Sequence, residues 1–163
     1  MELKRVVVTG LGAITPLGHN VADTWAAVVD GVSGAGPITR FDASLFKTQF
    51  ACEVKDFDPS LYFDRKEARK YDRYAQYAVI AAKEGVEDSG LDLEKVNKNR
   101  VGVIFAAGIG GIRTFEEEVG GFYLNEDKGP RFNPFFIPKM IADIAAGHIS
   151  MMYGFHGPNY ATV

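Results

Sequence analysis

The sequence predicts an α/β protein built around a mostly parallel sheet. Three observations carry that reading. Two short runs, residues 5–10 (RVVVTG) and 101–107 (VGVIFAA), are apolar, rich in β-branched residues and closed by glycine, as strands covered on both faces are. Segments with helical spacing lie between and after them. A third extended segment, residues 159–163 (NYATV), follows a Gly-Pro turn.

Taken in order, residues 5–10 form the first strand. A helix follows over residues 20–31, with Asn20 as its cap and Asp23 at the third helical position. Val21, Trp25, Val28 and Val29 give it an apolar stripe, and Gly31 stops it. Residues 31–63 carry turn signals, with a short strand over residues 50–54. One long helix is expected over residues 65–89. Asp64 and Glu67 form an acidic capping box at its start, and Gly90 ends it. The second strand, residues 101–107, enters a Gly-rich turn at residues 108–111. Residues 116–128 read as helix, then exposed loop. Pro138 is placed to open the next helix, whose stripe is Ile141, Ile144, Ala145, His148, Ile149 and Met152, and Gly154 closes it. A terminal carboxylate at Val163, within a buried strand, would be costly to desolvate. The sheet therefore reads as unfinished and the chain as a segment of a longer polypeptide, the alternative being an exposed tail.

An apolar fraction of 47% with 24% charged residues is ordinary for a folded globular protein, so disorder is excluded as the default. The net charge of −3 argues against a general nucleic-acid binder. The longest weakly polar run, residues 101–112, falls short of the ~20 residues that span a bilayer. The N-terminus lacks the apolar core of a signal peptide. Cys52 is the one cysteine, which forbids an internal disulfide and suits a reducing compartment, so a cytoplasmic location is expected.

Each motif admits a plain structural reading beside a functional one. VVVTGLGAITPLG runs from a strand into Gly-x-Gly, yet Thr15 and Pro16 stand where a dinucleotide fingerprint needs a third small residue opening a helix. A tight turn between strand and helix is the better account. The turn at residues 108–111 lacks the Lys-Ser/Thr of a P-loop, and Ile109 is its one bulky apolar side chain. That suits an apolar ligand pocket or a plain core contact equally. DRKEARKYDR, residues 64–73, crowds five basic side chains into the first turns of a helix, against the macrodipole and against one another. Such a cluster in an acidic chain suggests an acidic partner, the alternative being a solvated face offset by Asp64, Glu67 and Asp72. His19, His148 and His156 have no metal-ligand spacing, and His148 reads as a hydrogen-bonded core histidine. Cys52 reads as packing.

Together, RVVVTGLGAITPLG, RKEARKYDRYAQYA, AGIGG and PFFIPKMIADIAAGHISMMYGFHGPNYATV resemble the N-terminal half of a β-ketoacyl-acyl carrier protein synthase, of the synthase II type. The resemblance covers the whole chain in order. It implies a thiolase-like, layered α/β/α/β/α fold of two related halves, this chain being most of the first. It implies decarboxylative Claisen condensation through a cysteine expected just beyond Val163, with two histidines in the second half. No catalytic residue falls within residues 1–163, and no cofactor is implied, because acyl groups arrive on the phosphopantetheine arm of acyl carrier protein. By the same resemblance, Ile109, Phe136 and Ile137 line the acyl pocket, the last two reaching across a homodimer interface. Lys66, Arg69, Lys70 and Arg131 dock the carrier protein. Tyr160, Ala161, Thr162 and Val163 pair with a second subunit. Phe132 stands where relatives often carry another basic residue, which weakens or shifts that side of the docking patch. A non-catalytic partner subunit of the same fold, a chain-length factor of a polyketide system, is the rival reading.

Overall fold

The computed structural model describes residues 3–125, 129 and 131–162. The chain forms two compact units, Met1–Asp58 with Ile80–Gly90 and Pro59–Val79 with Leu91–Val163.

In the first unit, helix α1 spans Val21–Val29 and begins as expected, the Asn20 side chain accepting a hydrogen bond from the Asp23 amide. Its apolar stripe is not its buried face. Trp25 is 66% exposed, and Val28 and Val29 are exposed with it. The small and hydroxyl-bearing side is turned inward instead: Thr24 Oγ1 lies 3.0 Å from Thr15 Oγ1 on the preceding loop. Residues 5–10 carry no strand, a second correction, and Val6 is 91% exposed. A strand exists only through its ladder, and among the described residues none pairs with this run. Strands β1 (Gly36–Pro37) and β2 (Phe50–Ala51) form a small antiparallel pair, shorter than the strand expected over residues 50–54. Cys52, expected to pack, is exposed beside it.

The helix expected over residues 65–89 is two helices. Helix α2 spans Arg65–Ala68, capped by Asp64, which accepts from the amides of Lys66 and Glu67. Helix α3 spans Arg73–Asp88, giving residues 73–79 to the second unit and 80–88 to the first. The chain breaks at Asp72 because that side chain turns to another segment: Oδ2 accepts from Thr114 Oγ1 at 2.6 Å and from the Thr114 amide at 3.2 Å.

The second unit holds the parallel pair that the sequence anticipates. Strand β3 (Val103–Ile104) pairs with β4 (Asn159–Tyr160) in parallel. The ladder runs on through amide-to-carbonyl bonds from Val103 to Pro158, Phe105 to Tyr160 and Ala107 to Thr162. Helix α4 (Ile112–Leu124) starts directly after the Gly-rich turn, earlier than residue 116. Pro138 sits inside a short helix, α5 (Phe136–Met140), and does not open the long one. The expected long helix is divided at Ile141, whose backbone is extended and whose carbonyl accepts from the Tyr74 hydroxyl. Helix α6 (Ile144–Tyr153) then buries Ala145, Ala146, Ile149 and Ser150, while Met152 stays exposed. Gly154, in left-handed backbone at φ +67°, closes it as expected.

Candidate functional site

The turn at residues 108–111 is locked onto the end of α5. Its Gly111 amide donates to the Met140 carbonyl at 2.9 Å. A side chain at Gly110, where φ is +81°, would meet that same carbonyl at 2.5 Å, so the approach admits only glycine. Ile109 lies on this pinned turn and is 69% exposed, without a core contact inside this chain. Phe136 and Ile137 open α5, the helix whose other end holds the turn. The three residues assigned to an acyl pocket thus share one corner of the second unit.

That corner is continuous with a series of aromatic rings the sequence reading missed. Phe136 stacks on Phe132 (centroids 5.6 Å apart, planes at 13°), Phe132 stacks on Phe122 at 5.6 Å, and Phe115 lies 6.3 Å from Phe136. Offset rings at such distances add to the stabilisation from burial alone. Phe115 and Phe122 are seven residues apart on α4, a same-face spacing that was legible in the sequence. Phe132, noted only as a missing cation, holds the series together. Arg131 beside it lines a cleft of about 260 Å³ with Glu117 and Glu118.

Lys66 lies on α2, with Arg69 and Lys70 in the break after it. Lys66 and Arg69 are exposed and Lys70 half-buried, and none of the three has an ion-pair partner among the described residues. The solvated-face alternative has Asp64, Glu67 and Asp72 partly neutralising the cluster. Asp64 accepts from the amides of Lys66 and Glu67 and Asp72 from the Thr114 hydroxyl, and the exposure of Lys66 and Arg69 fits a solvated face as well as a docking surface. His148, expected to be hydrogen-bonded in the core, is half-buried against the edge of Tyr71 at 4.4 Å, with no hydrogen bond among the described residues. Burial, then the charge of Lys70, holds its imidazole below the ordinary range.

The Gly-x-Gly loop of the first unit is not built for a phosphate. A side chain at Gly12 would strike the Ala81 carbonyl at 1.9 Å, so the glycine lets α3 lie against the loop. The donors are already taken: the Leu11 amide bonds Asp88 at 2.8 Å, and the Ala13 amide bonds Glu84 at 2.9 Å. Two carboxylates occupy the place a pyrophosphate would need. Among the described residues no cluster of His, Cys, Asp and Glu could hold a metal ion, and no helix is long and apolar enough to cross a membrane.

Tyr160 and the residues after it extend the ladder beside β3 through Thr162, and Tyr160 is exposed. Ala161 and Thr162 continue that segment, and Val163 lies outside the described residues.

Residues 3–163 match the family model of the β-ketoacyl synthase N-terminal domain. The chain belongs to the β-ketoacyl synthase family. Curated relatives named 3-oxoacyl-[acyl-carrier-protein] synthase 2 are 48% identical in Coxiella burnetii and 46% in Synechocystis sp., each covering 100% of this chain. One from Staphylococcus aureus is 45% identical over 98% of it. The chain spans only 38–39% of the length of these synthases. Among solved structures, the ishigamide ketosynthase/chain length factor superposes with a TM-score of 0.84 at 26% identity, over 96% of this chain and 39% of that one. A type II polyketide acyl-carrier protein in complex with its ketosynthase superposes at 0.73 with 30% identity, over 94% and 40%. The thiolase-like ketosynthase fold, in its N-terminal half, is the fold of this β-ketoacyl synthase segment.

Proposed function

We propose that residues 1–163 are the N-terminal half of an elongating β-ketoacyl-acyl carrier protein synthase that works in type II fatty-acid synthesis. The observation that carries this reading is similarity along 98–100% of this chain, at 45–48% identity, to synthases of one name.

In the proposed reaction, an acyl group passes from the carrier thiol to an enzyme cysteine, releasing the carrier thiol and forming a new thioester. A malonyl thioester on a second carrier then loses carbon dioxide, leaving an enolate carbanion. The carbanion attacks the acyl-enzyme carbonyl, a carbon–carbon bond forms, and the enzyme thiolate departs. The residues of this segment supply recognition. Ile109, Phe136 and Ile137 form an apolar wall for the acyl chain, supported by the corner that holds all three. Lys66, Arg69, Lys70 and Arg131 receive the acidic carrier, supported by the absence of ion-pair partners at Lys66, Arg69 and Lys70. Tyr160, Ala161, Thr162 and Val163 pair with a second subunit to give a homodimer, an open strand edge being a ready template for pairing. No cofactor is required, and the enzyme is cytoplasmic.

The decisive experiment incubates the full-length enzyme with acyl- and malonyl-acyl carrier protein and follows β-ketoacyl product and carbon dioxide. A second reading, the non-catalytic chain-length factor, is favoured by the likeness to the ishigamide assembly. Carrier binding and dimerisation without acyl-enzyme formation would select it.

A further inference from the structure

Asp72 has an unusual setting for a carboxylate. It is 7% exposed and has no ion-pair partner among the described residues. Its oxygens accept from two helix beginnings, and the Arg113 guanidinium interacts with it electrostatically. Oδ1 accepts from the Tyr74 amide in the first turn of α3 at 3.2 Å. Oδ2 accepts from both the amide and the hydroxyl of Thr114 in the first turn of α4, and Thr114 is 4% exposed. A buried carboxyl needs donors for its oxygens, and here they come from segments far apart in sequence.

What the two segments carry gives the contact its meaning. On one side, Asp72 follows Lys70 by two residues, and the Gln76 side chain donates to the Ala68 carbonyl, tying α2 to α3. The docking cations Lys66, Arg69 and Lys70 are therefore fixed to the Asp72 corner. On the other side, Thr114 stands in the helical turn closed by the Phe115-to-Gly111 bond, and Gly111 is pinned to Met140. Ile109 leaves that pinned turn. Asp72 is the junction between the surface that would receive the carrier and the turn that would receive its acyl chain.

We propose that Asp72, through Thr114, is a positioning residue that sets the carrier-docking cations in register with the acyl-pocket turn. The inference rests on the proposed synthase function and deepens it. An acyl group tethered to a docked carrier enters the pocket along a path of fixed origin. Displacing that origin relative to Ile109 lowers the fraction of docked carriers whose acyl group reaches a productive position. An acyl group without a carrier has no such origin and is indifferent to the register.

The test compares Asp72→Asn, Thr114→Val and wild type in the full-length enzyme, measuring acyl-enzyme formation by intact mass. The acyl donors are octanoyl-acyl carrier protein and octanoyl-N-acetylcysteamine. Loading from the carrier should fall on the order of tenfold in kcat/KM, while loading from the small thioester stays within about twofold. Thr114→Ser, which restores the hydroxyl, should recover carrier-dependent loading. Equal losses with both donors would make Asp72 a folding residue and overturn the proposal, as would unchanged loading from the carrier. Thr114→Val keeps every Asp72 contact except the hydroxyl bond, so it reports even where Asp72→Asn folds poorly. A parallel charge reversal of Lys66, Arg69 and Lys70 separates the two readings. If that variant loads from the carrier normally, the docking assignment fails. If it is impaired while Asp72→Asn and Thr114→Val are not, only the register proposal fails.

Discussion

Replacing Glu84 with alanine tests why the opening Gly-x-Gly loop of this chain is not a nucleotide loop. Glu84 is half-buried on α3 and grips two segments at once. Oε2 accepts from the Ala13 amide at 2.9 Å, and Oε1 accepts from the Val21 amide, the first of α1, at 2.8 Å. A hydrogen bond to a charged group contributes about 1.5–3 kcal/mol, and partial solvent access places both of these near the lower end. Removing the two bonds therefore costs roughly 3 kcal/mol, with a further 0.3–1 kcal/mol lost from the carboxylate at the α1 N-terminus. At about 1.4 kcal/mol per tenfold, amide exchange at Ala13 and Val21 should quicken on the order of tenfold each in Glu84→Ala. Glu84→Gln keeps one acceptor oxygen, so one of the two amides should retain its protection. Hydrogen-exchange mass spectrometry of the full-length enzyme reads both peptides directly. Exchange in Glu84→Ala within about twofold of wild type would refute the claim that the carboxylate holds the loop. Slower exchange at residues 10–13 on adding NAD(H) to the wild type would refute the claim that these donors are already committed.

Three further predictions concern the second unit. Charge reversal at Lys66, Arg69 and Lys70 should weaken carrier-protein binding about tenfold or more at low salt and flatten its salt dependence; unchanged low-salt affinity, by calorimetry, would end the docking assignment. Ile109→Phe should slow loading of long acyl chains about tenfold more than short ones, whereas equal slowing at every length would mean damage to the turn itself. His148 takes a proton less readily in the folded state than a free histidine does at its ordinary value of 6.5, because of burial and then Lys70. The unfolded chain therefore binds the proton first as pH falls, so this contribution is complete above 6.5 and declines below it. Denaturation midpoints above and below that pH should converge in His148→Gln, and a carrier docked on Lys70 should raise the histidine's titration point by NMR.

Helix ends were legible because the signals that set them are local. Asn20 needs only the Asp23 amide three residues on, Asp64 needs those of Lys66 and Glu67, and Gly154 needs only its own left-handed backbone. The breaks inside the helices expected over residues 65–89 and after Pro138 were not legible, and for one shared reason. Each falls where a polar group leaves the helical pattern for a partner far along the chain: Asp72 for Thr114, and the Ile141 carbonyl for Tyr74. Burial and the charges of Asp72 and Asp143 push the Tyr74 phenol up to about 12, which keeps it a donor across the whole working range. No periodicity within a helix announces a bond to a residue dozens of positions away.

The same distinction sorts the candidate site. Ile109 stood out because a lone bulky residue among glycines is a local anomaly, and the cations stood out because they oppose their own helix. Thr114 gave no such sign. It is an ordinary hydroxyl in an ordinary first turn until Asp72 reaches it. The exposed stripe of Trp25, Val28 and Val29 makes the converse point. Its spacing correctly marks an apolar helix face, but spacing cannot say what covers that face. The inward side of α1 is chosen by Gly18, where an added side chain would lie 2.7 Å from the Thr24 amide. Close approach goes to the small residues, and the large ones are left outward. In this segment, apolar patterning thus locates surfaces, while the placement of a few polar contacts decides which surface turns in and which chain segments are held in register.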